Sequence, residues 1–112
     1  MLILHLTLNK QWFDMIESGI KTEEYRLIKD YWTSRLFTHK PYSVNYPAGF
    51  LSPINFDAIE FRNGYHKNCR TMLVEFKGVI NSFGKPEWGA PNHSVYIIKL
   101  GNIISSPKHL PF

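Results

Sequence analysis

The sequence predicts an α+β fold: a small, closed or nearly closed β-barrel of about five strands, with two helices in the N-terminal third. Three observations carry this. From residue 57 onward, long runs alternate apolar and polar side chains and are parted by turn signals. Between residues 10 and 18, Trp12, Phe13 and Ile16 fall on one helical stripe. The 112 residues, 44% hydrophobic and 15% aromatic, are enough for one core and one domain, residues 1–112, without staples.

Leu2 to Leu8 is the first predicted strand, with Leu2, Leu4, Leu6 and Leu8 on one face and Ile3, His5 and Thr7 on the other. His5 is expected to fill the second face or make a core hydrogen bond. Asn9 has the chemistry of an N-cap for a helix from Lys10 to Ser18. That helix buries its Trp12–Phe13–Ile16 stripe, because it must bury some face to persist. Gly19 is placed where a left-handed stop belongs. Thr22 to Leu27 is the second strand, and Tyr31, Trp32, Arg35 and Leu36 mark a second short helix. Thr38 to Phe56 holds Pro41, Pro47, Pro53 and Gly49 and is expected to be irregular. Asp57 to Arg62 and Arg70 to Ile80 are strands joined through the turn signal Asn63-Gly64. A loop from Ser82 to Asn92 carries Trp88 between Pro86 and Pro91. Ser94 to Ile104 is the last strand, and Ser105 to Phe112 is a loose end.

Composition narrows the function classes. A single cysteine, Cys69, excludes an internal disulfide and a cysteine-rich zinc site, and fits a reduced compartment. No apolar run nears the roughly 18 residues of a membrane span. The apolar start, Met1 to Leu6, is short and lacks a basic leader, so it is taken as strand rather than signal peptide. A cytoplasmic location, no membrane partner, no cofactor and no metal are expected, since the histidines show no ligand spacing. A formal charge of +4 permits a polyanionic partner without demanding one.

The densest chemistry is Gly19-Ile20-Lys21-Thr22-Glu23-Glu24-Tyr25-Arg26, two cations and two carboxylates in eight residues. On a strand, Glu24 and Arg26 share one face and Glu23 and Tyr25 the other, while Lys21 in the turn can reach either. The stretch is either a solvated edge strand or the floor of a cleft.

The spacing Gly19-x-Lys21-x-x-Glu24-x-Arg26, after a strand and an aromatic-rich helix, resembles the ASCH domain. So do Phe61-Arg62-Asn63-Gly64-Tyr65 at a hairpin, Val74-Glu75-Phe76, Trp88-Gly89 and the closing Ile98-Lys99-Leu100-Gly101. The likeness is to the compact phage and bacterial type and spans roughly residues 2 to 104. It implies a PUA-like pseudo-barrel with a cleft beside the first helix, and RNA binding. One branch of that family hydrolyses the acetyl amide of acetylated cytidine and another cleaves RNA. The amidohydrolase lysine carries over to Lys21, but the position of its threonine is held by Glu24, which has no hydroxyl for attack on an amide.

Three functions follow as expectations. A binder of single-stranded RNA or of a nucleoside or nucleotide would use Lys21, Arg26 and Arg62 as donors, Glu24 and Asn63 to read a base edge, and Tyr65 and Trp88 to stack. A hydrolase would pair Lys21 with Glu24 as acid and base; for RNA cleavage Glu24 or His66 would be the base and Lys21 or Arg26 the cation. An interaction module would use the tyrosine- and proline-rich stretch from Tyr42 to Pro53.

Overall fold

The computed structural model describes residues 1–40 and 49–106. Its core is one curled five-stranded sheet, half a barrel, with two helices. In chain order the elements are β1 (Ile3–Leu8), α1 (Lys10–Glu17), β2 (Glu23–Arg26), α2 (Asp30–Leu36), β3 (Phe37–Lys40), β4 (Phe50–Pro53), β5 (Ala58–Asn63), β6 (Thr71–Ser82) and β7 (Val95–Ser105). A single 3-10 turn spans Pro86–Trp88. The large sheet runs β1-β5-β6-β7-β2; β1 is parallel to β5, and every other neighbour pair is antiparallel.

The leucine alternation of β1 survives in three dimensions: Leu4, Leu6 and Leu8 are buried against Phe13, Phe61 and Met72 in one core cluster. Leu2, beyond the strand, is exposed. His5 also departs from expectation. It is exposed, and its Nδ1 lies 3.1 Å from Glu60 on the neighbouring strand, because the second face of this edge strand is open to water.

Asn9 caps α1 by accepting from the Trp12 amide at 3.3 Å. The helix stops where Gly19 takes φ +85° and returns its amide to Ile16 O at 3.0 Å. Arg70, at the entry to β6, clamps α1 onto the sheet through Asp14 and Glu17. Two register shifts between Val74 and Gly78 bend β6 against β7, and such bulges curl a sheet. The curl carries the edge strands β1 and β2 toward one another. They do not pair; the Arg26 side chain spans the gap, its Nη2 donating to Thr7 O at 3.1 Å.

The stretch expected to be irregular is partly ordered. Residues 37–40 and 50–53 pair as an antiparallel two-stranded sheet, from Phe37↔Pro53 to Lys40↔Phe50. Proline counts against regular structure, yet Pro53 sits at a strand end of a two-stranded sheet, where its missing N–H costs no central ladder bond. Pro41, Tyr42, Tyr46 and Pro47 of that stretch, and the tail from Pro107, lie outside the described residues. Among those that are described, no helix is long and apolar enough to cross a membrane.

Candidate binding cleft at the β1–β2 seam

The seam holds a cleft of about 240 Å³, lined by the end of β1 (Thr7, Leu8), the cap residue Asn9, Trp12 of α1, residues 24–26 of β2, and Trp88 with Gly89. The alternation of β2 explains its chemistry. Glu24 and Arg26 face inward on one side; Glu23 and Tyr25 face the other way and meet there, the Tyr25 hydroxyl donating to Glu23 at 2.8 Å.

Glu24 is the centre. Only 6% of it is exposed. Its Oε2 accepts from Arg26 Nη2 at 2.8 Å, and its Oε1 lies 3.2 Å from Lys21 Nζ. Lys21 is sealed in turn, at 1% exposure, and donates to Trp88 O at 2.8 Å. Its ammonium also lies over two rings, Tyr25 at 4.6 Å and Trp12 at 5.2 Å, where the electron-rich faces replace part of the lost water. Burial pushes the lysine below its ordinary pKa, while the Glu24 charge and hydrogen bond resist. Arg26 is fixed from three sides, by Glu24, by Thr7 O and by the Trp32 ring 4.8 Å away. Its buried Nε–H has no hydrogen-bond partner among the described residues.

The second face of β2 forms a supporting layer. Burial works to raise the Glu23 carboxyl, but hydrogen bonds from Lys99 and Tyr25 outweigh it and hold Glu23 below its ordinary value. Burial raises the Tyr25 phenol, whose oxygen accepts the Lys85 amide at 3.0 Å and so ties down the loop after β6. That loop delivers Trp88. Gly89 follows at φ +95°, and a Cβ there would stand 2.8 Å from the Trp12 ring, so glycine allows the loop to close against the helix.

The structure gathers Lys21, Glu24, Arg26 and Trp88, but only Glu24, Arg26 and Trp88 line the cleft. Lys21, expected to donate to a ligand directly, is instead sealed behind Glu24, because its ammonium is taken up by Glu24 and Trp88 O. Arg62, Asn63 and Tyr65 also lie outside the lining. Arg62 donates to His66 O at 3.2 Å, Asn63 pairs in register with Leu8, and Tyr65 is 91% exposed on the turn beyond. His66 lies in the same exposed turn, its Nδ1 accepting from the Asn68 amide at 3.1 Å. Two aromatic lining residues were not among the candidates: Trp12 packs against the core as its helical stripe predicts and also walls the cleft, and Tyr25, on the face of β2 away from Glu24 as the alternation predicts, borders it too. The available signal was the size of Trp12, next to Phe13 and Ile16 on a short helix: those two are buried and Trp12 only partly.

Two larger hollows of about 420 and 400 Å³ lie elsewhere, one between α2 and the β3–β4 hairpin, the other beside the C-terminal end of α1. Size does not decide here. Lys21 borders the second of these from behind, whereas Glu24 and Arg26 line the smaller cleft and neither of these two hollows. Among the described residues, no three His, Cys, Asp or Glu side chains gather as metal ligands.

The chain matches no family model, no curated protein and no solved structure.

Proposed function

We propose that this chain is an ASCH-like module of the PUA-like type that binds single-stranded RNA, or a nucleoside- or nucleotide-derived ligand, in the β1–β2 seam. One observation carries the reading: a buried carboxylate, Glu24, held by two cations, lines a cleft walled by Trp12 and Trp88. A pure backbone binder has no use for a carboxylate among its cations. A base edge does, because the carboxylate accepts from an exocyclic amine while Arg26 donates to ring or carbonyl acceptors. The indole walls supply stacking surface, and unpaired bases are the form in which RNA sequence is usually read. At about 240 Å³ the cleft is smaller than the ~300–1,000 Å³ of pockets for drug-sized ligands, which suits one ring system.

Titration with nucleosides and short single-stranded RNA, followed by tryptophan fluorescence, tests this. Affinity should fall as salt rises. Trp88→Ala should weaken binding by about 1–3 kcal/mol per stacked base; the substitution keeps the backbone oxygen that Lys21 uses. Unaltered affinity in Trp88→Ala and Arg26→Gln would remove the cleft from the reading.

A hydrolase is the second reading, favoured by the depressed Lys21 ammonium 3.2 Å from Glu24. Since Lys21 is sealed, Glu24 would meet the substrate and Lys21 would set its charge. Mass-spectrometric assays for cleavage of RNA and for deacetylation of acetylated cytidine decide it; turnover that survives Lys21→Met would clear the lysine of that role.

A further inference from the structure

We propose that the cleft takes a ligand bearing its own negative charge beside the ring: a nucleoside monophosphate or, with the same chemistry, one phosphodiester-linked residue of a strand, its phosphate met by Arg26 and Lys85. This rests on the base-site reading above and adds the phosphate to it.

The charges around the seam do not balance. Lys21 and Arg26 both pair with Glu24. Behind them Glu23 answers Lys99, with Lys85 also lowering its pKa by charge. Counting the exposed Glu87 on the same 3-10 turn, four cations face three carboxylates, and one positive charge is left over. In water such an excess is trivial. Here Lys21 and Arg26 are largely withdrawn from solvent, so the excess favours an anion in the cleft over a neutral occupant.

Two details place the anion. Arg26 uses Nη2 for both of its hydrogen bonds and keeps a buried Nε–H unanswered, so the guanidinium gains by turning toward an incoming oxyanion. A guanidinium matches phosphate with paired donors. Lys85, exposed at the rim, holds its ammonium over one face of the Trp88 ring, 4.3 Å from its centre, and the same indole walls the cleft. A ring stacked on Trp88 takes the other face or displaces the ammonium, and in either case its phosphate stays within reach of the flexible lysine stem. The cleft is small, so a phosphate on a bound ring lies toward its mouth, between Arg26 in the lining and Lys85 at the rim.

Isothermal titration of the full chain with the four ribonucleosides, their 5′- and 3′-monophosphates, inorganic phosphate and a short single-stranded RNA tests the proposal, with Lys85→Ala in parallel. At least one monophosphate should bind about tenfold or more tightly than its nucleoside, the scale of one charge-assisted hydrogen bond. Lys85→Ala should narrow that gap at an unchanged melting temperature, since the side chain is exposed. Further tightening for RNA identifies a strand residue as the source, and equal affinity identifies the free nucleotide; both support the shared chemistry. Equal affinity of nucleoside and monophosphate overturns the phosphate contact and leaves the base site standing. Inorganic phosphate binding as tightly as the nucleotide also overturns it. Failure of nucleosides, nucleotides and RNA alike overturns the base site with it.

Discussion

Replacing Glu24 by Gln keeps the shape of the side chain and removes its charge. The consequence can be worked from the structure. Glu24 is 6% exposed, Lys21 1%, and the Arg26 side chain 17%, so the two cations would lose the carboxylate they share in a place water scarcely reaches. Breaking a buried pair by removing one member costs about 3–5 kcal/mol. For a chain of this size a kilocalorie moves the melting temperature by about 4 °C, so a drop of about 12–20 °C is expected. The assay is urea denaturation with thermal melting, with Glu60→Gln as reference. Glu60 meets His5, which is 64% exposed on its side chain, and exposed pairs contribute about 0–1 kcal/mol. Adding Lys21→Met to Glu24→Gln removes one stranded charge and should recover part of the loss, a coupling of about 0.5–3 kcal/mol. A Glu24→Gln cost below 1 kcal/mol, equal to that of Glu60→Gln, would refute the reasoning; the cluster would then be hydrated in solution and the cleft a groove in an open edge.

Further perturbations probe neighbouring parts. Gly89→Ala should destabilise by about 1–3 kcal/mol, from the left-handed backbone and the 2.8 Å approach to Trp12, and should also weaken ligand binding; a melting temperature within a degree of wild type would show that the loop does not rest on α1. Asn9→Ala should cost about 0.5–2 kcal/mol by urea denaturation through loss of the cap, and Asn9→Asp much less, whereas equal losses in the two would argue against capping. Acid should destabilise the fold through Glu23. Its folded pKa lies below the ordinary 4.5, so its contribution is complete above that value and is lost as pH falls through the folded pKa. In Lys99→Met the pH dependence below 4.5 should flatten, and a stability-against-pH curve that keeps its slope would exclude this source.

The local rules were strong where one residue's own chemistry decides its place. Asn9 as a cap, Gly19 as a stop and the leucine alternation of β1 need no knowledge of the rest of the chain. The period of β2 likewise put Glu24 and Arg26 on one face before any partner was known. Partnership itself was illegible. Nothing in Ile3–Leu8 announces that it lies parallel to Ala58–Asn63, or that Arg26 will stand in for the missing rung to Thr7. The β3–β4 pairing was hidden by prolines, whose average tendency says little about a strand's last position. Trp12 shows the limit of stripe arguments: helical spacing tells which side chains share a face, but not that the face extends past the core to the rim of a cleft. A motif likeness sets Arg62, Asn63 and Tyr65 beside the charged cluster in sequence terms, but the turn that carries them lies outside the cleft lining.

The order of pairing along the chain has a consequence for biosynthesis. Strand β1 waits for a partner 55 positions later, and Glu23 of β2 meets Lys99 at a separation of 76. Contacts that distant are slow to form and close only after most loop entropy has been surrendered. A ribosome will thus release the charged segment early and its shelter late, so a nascent chain shows Glu23 and Glu24 to solvent until Val95–Ser105 has emerged. Truncation within that last strand should leave β6 and β2 unpaired along one edge and remove Tyr96 and Ile98 from the core, making the fragment a substrate for chaperones or aggregation.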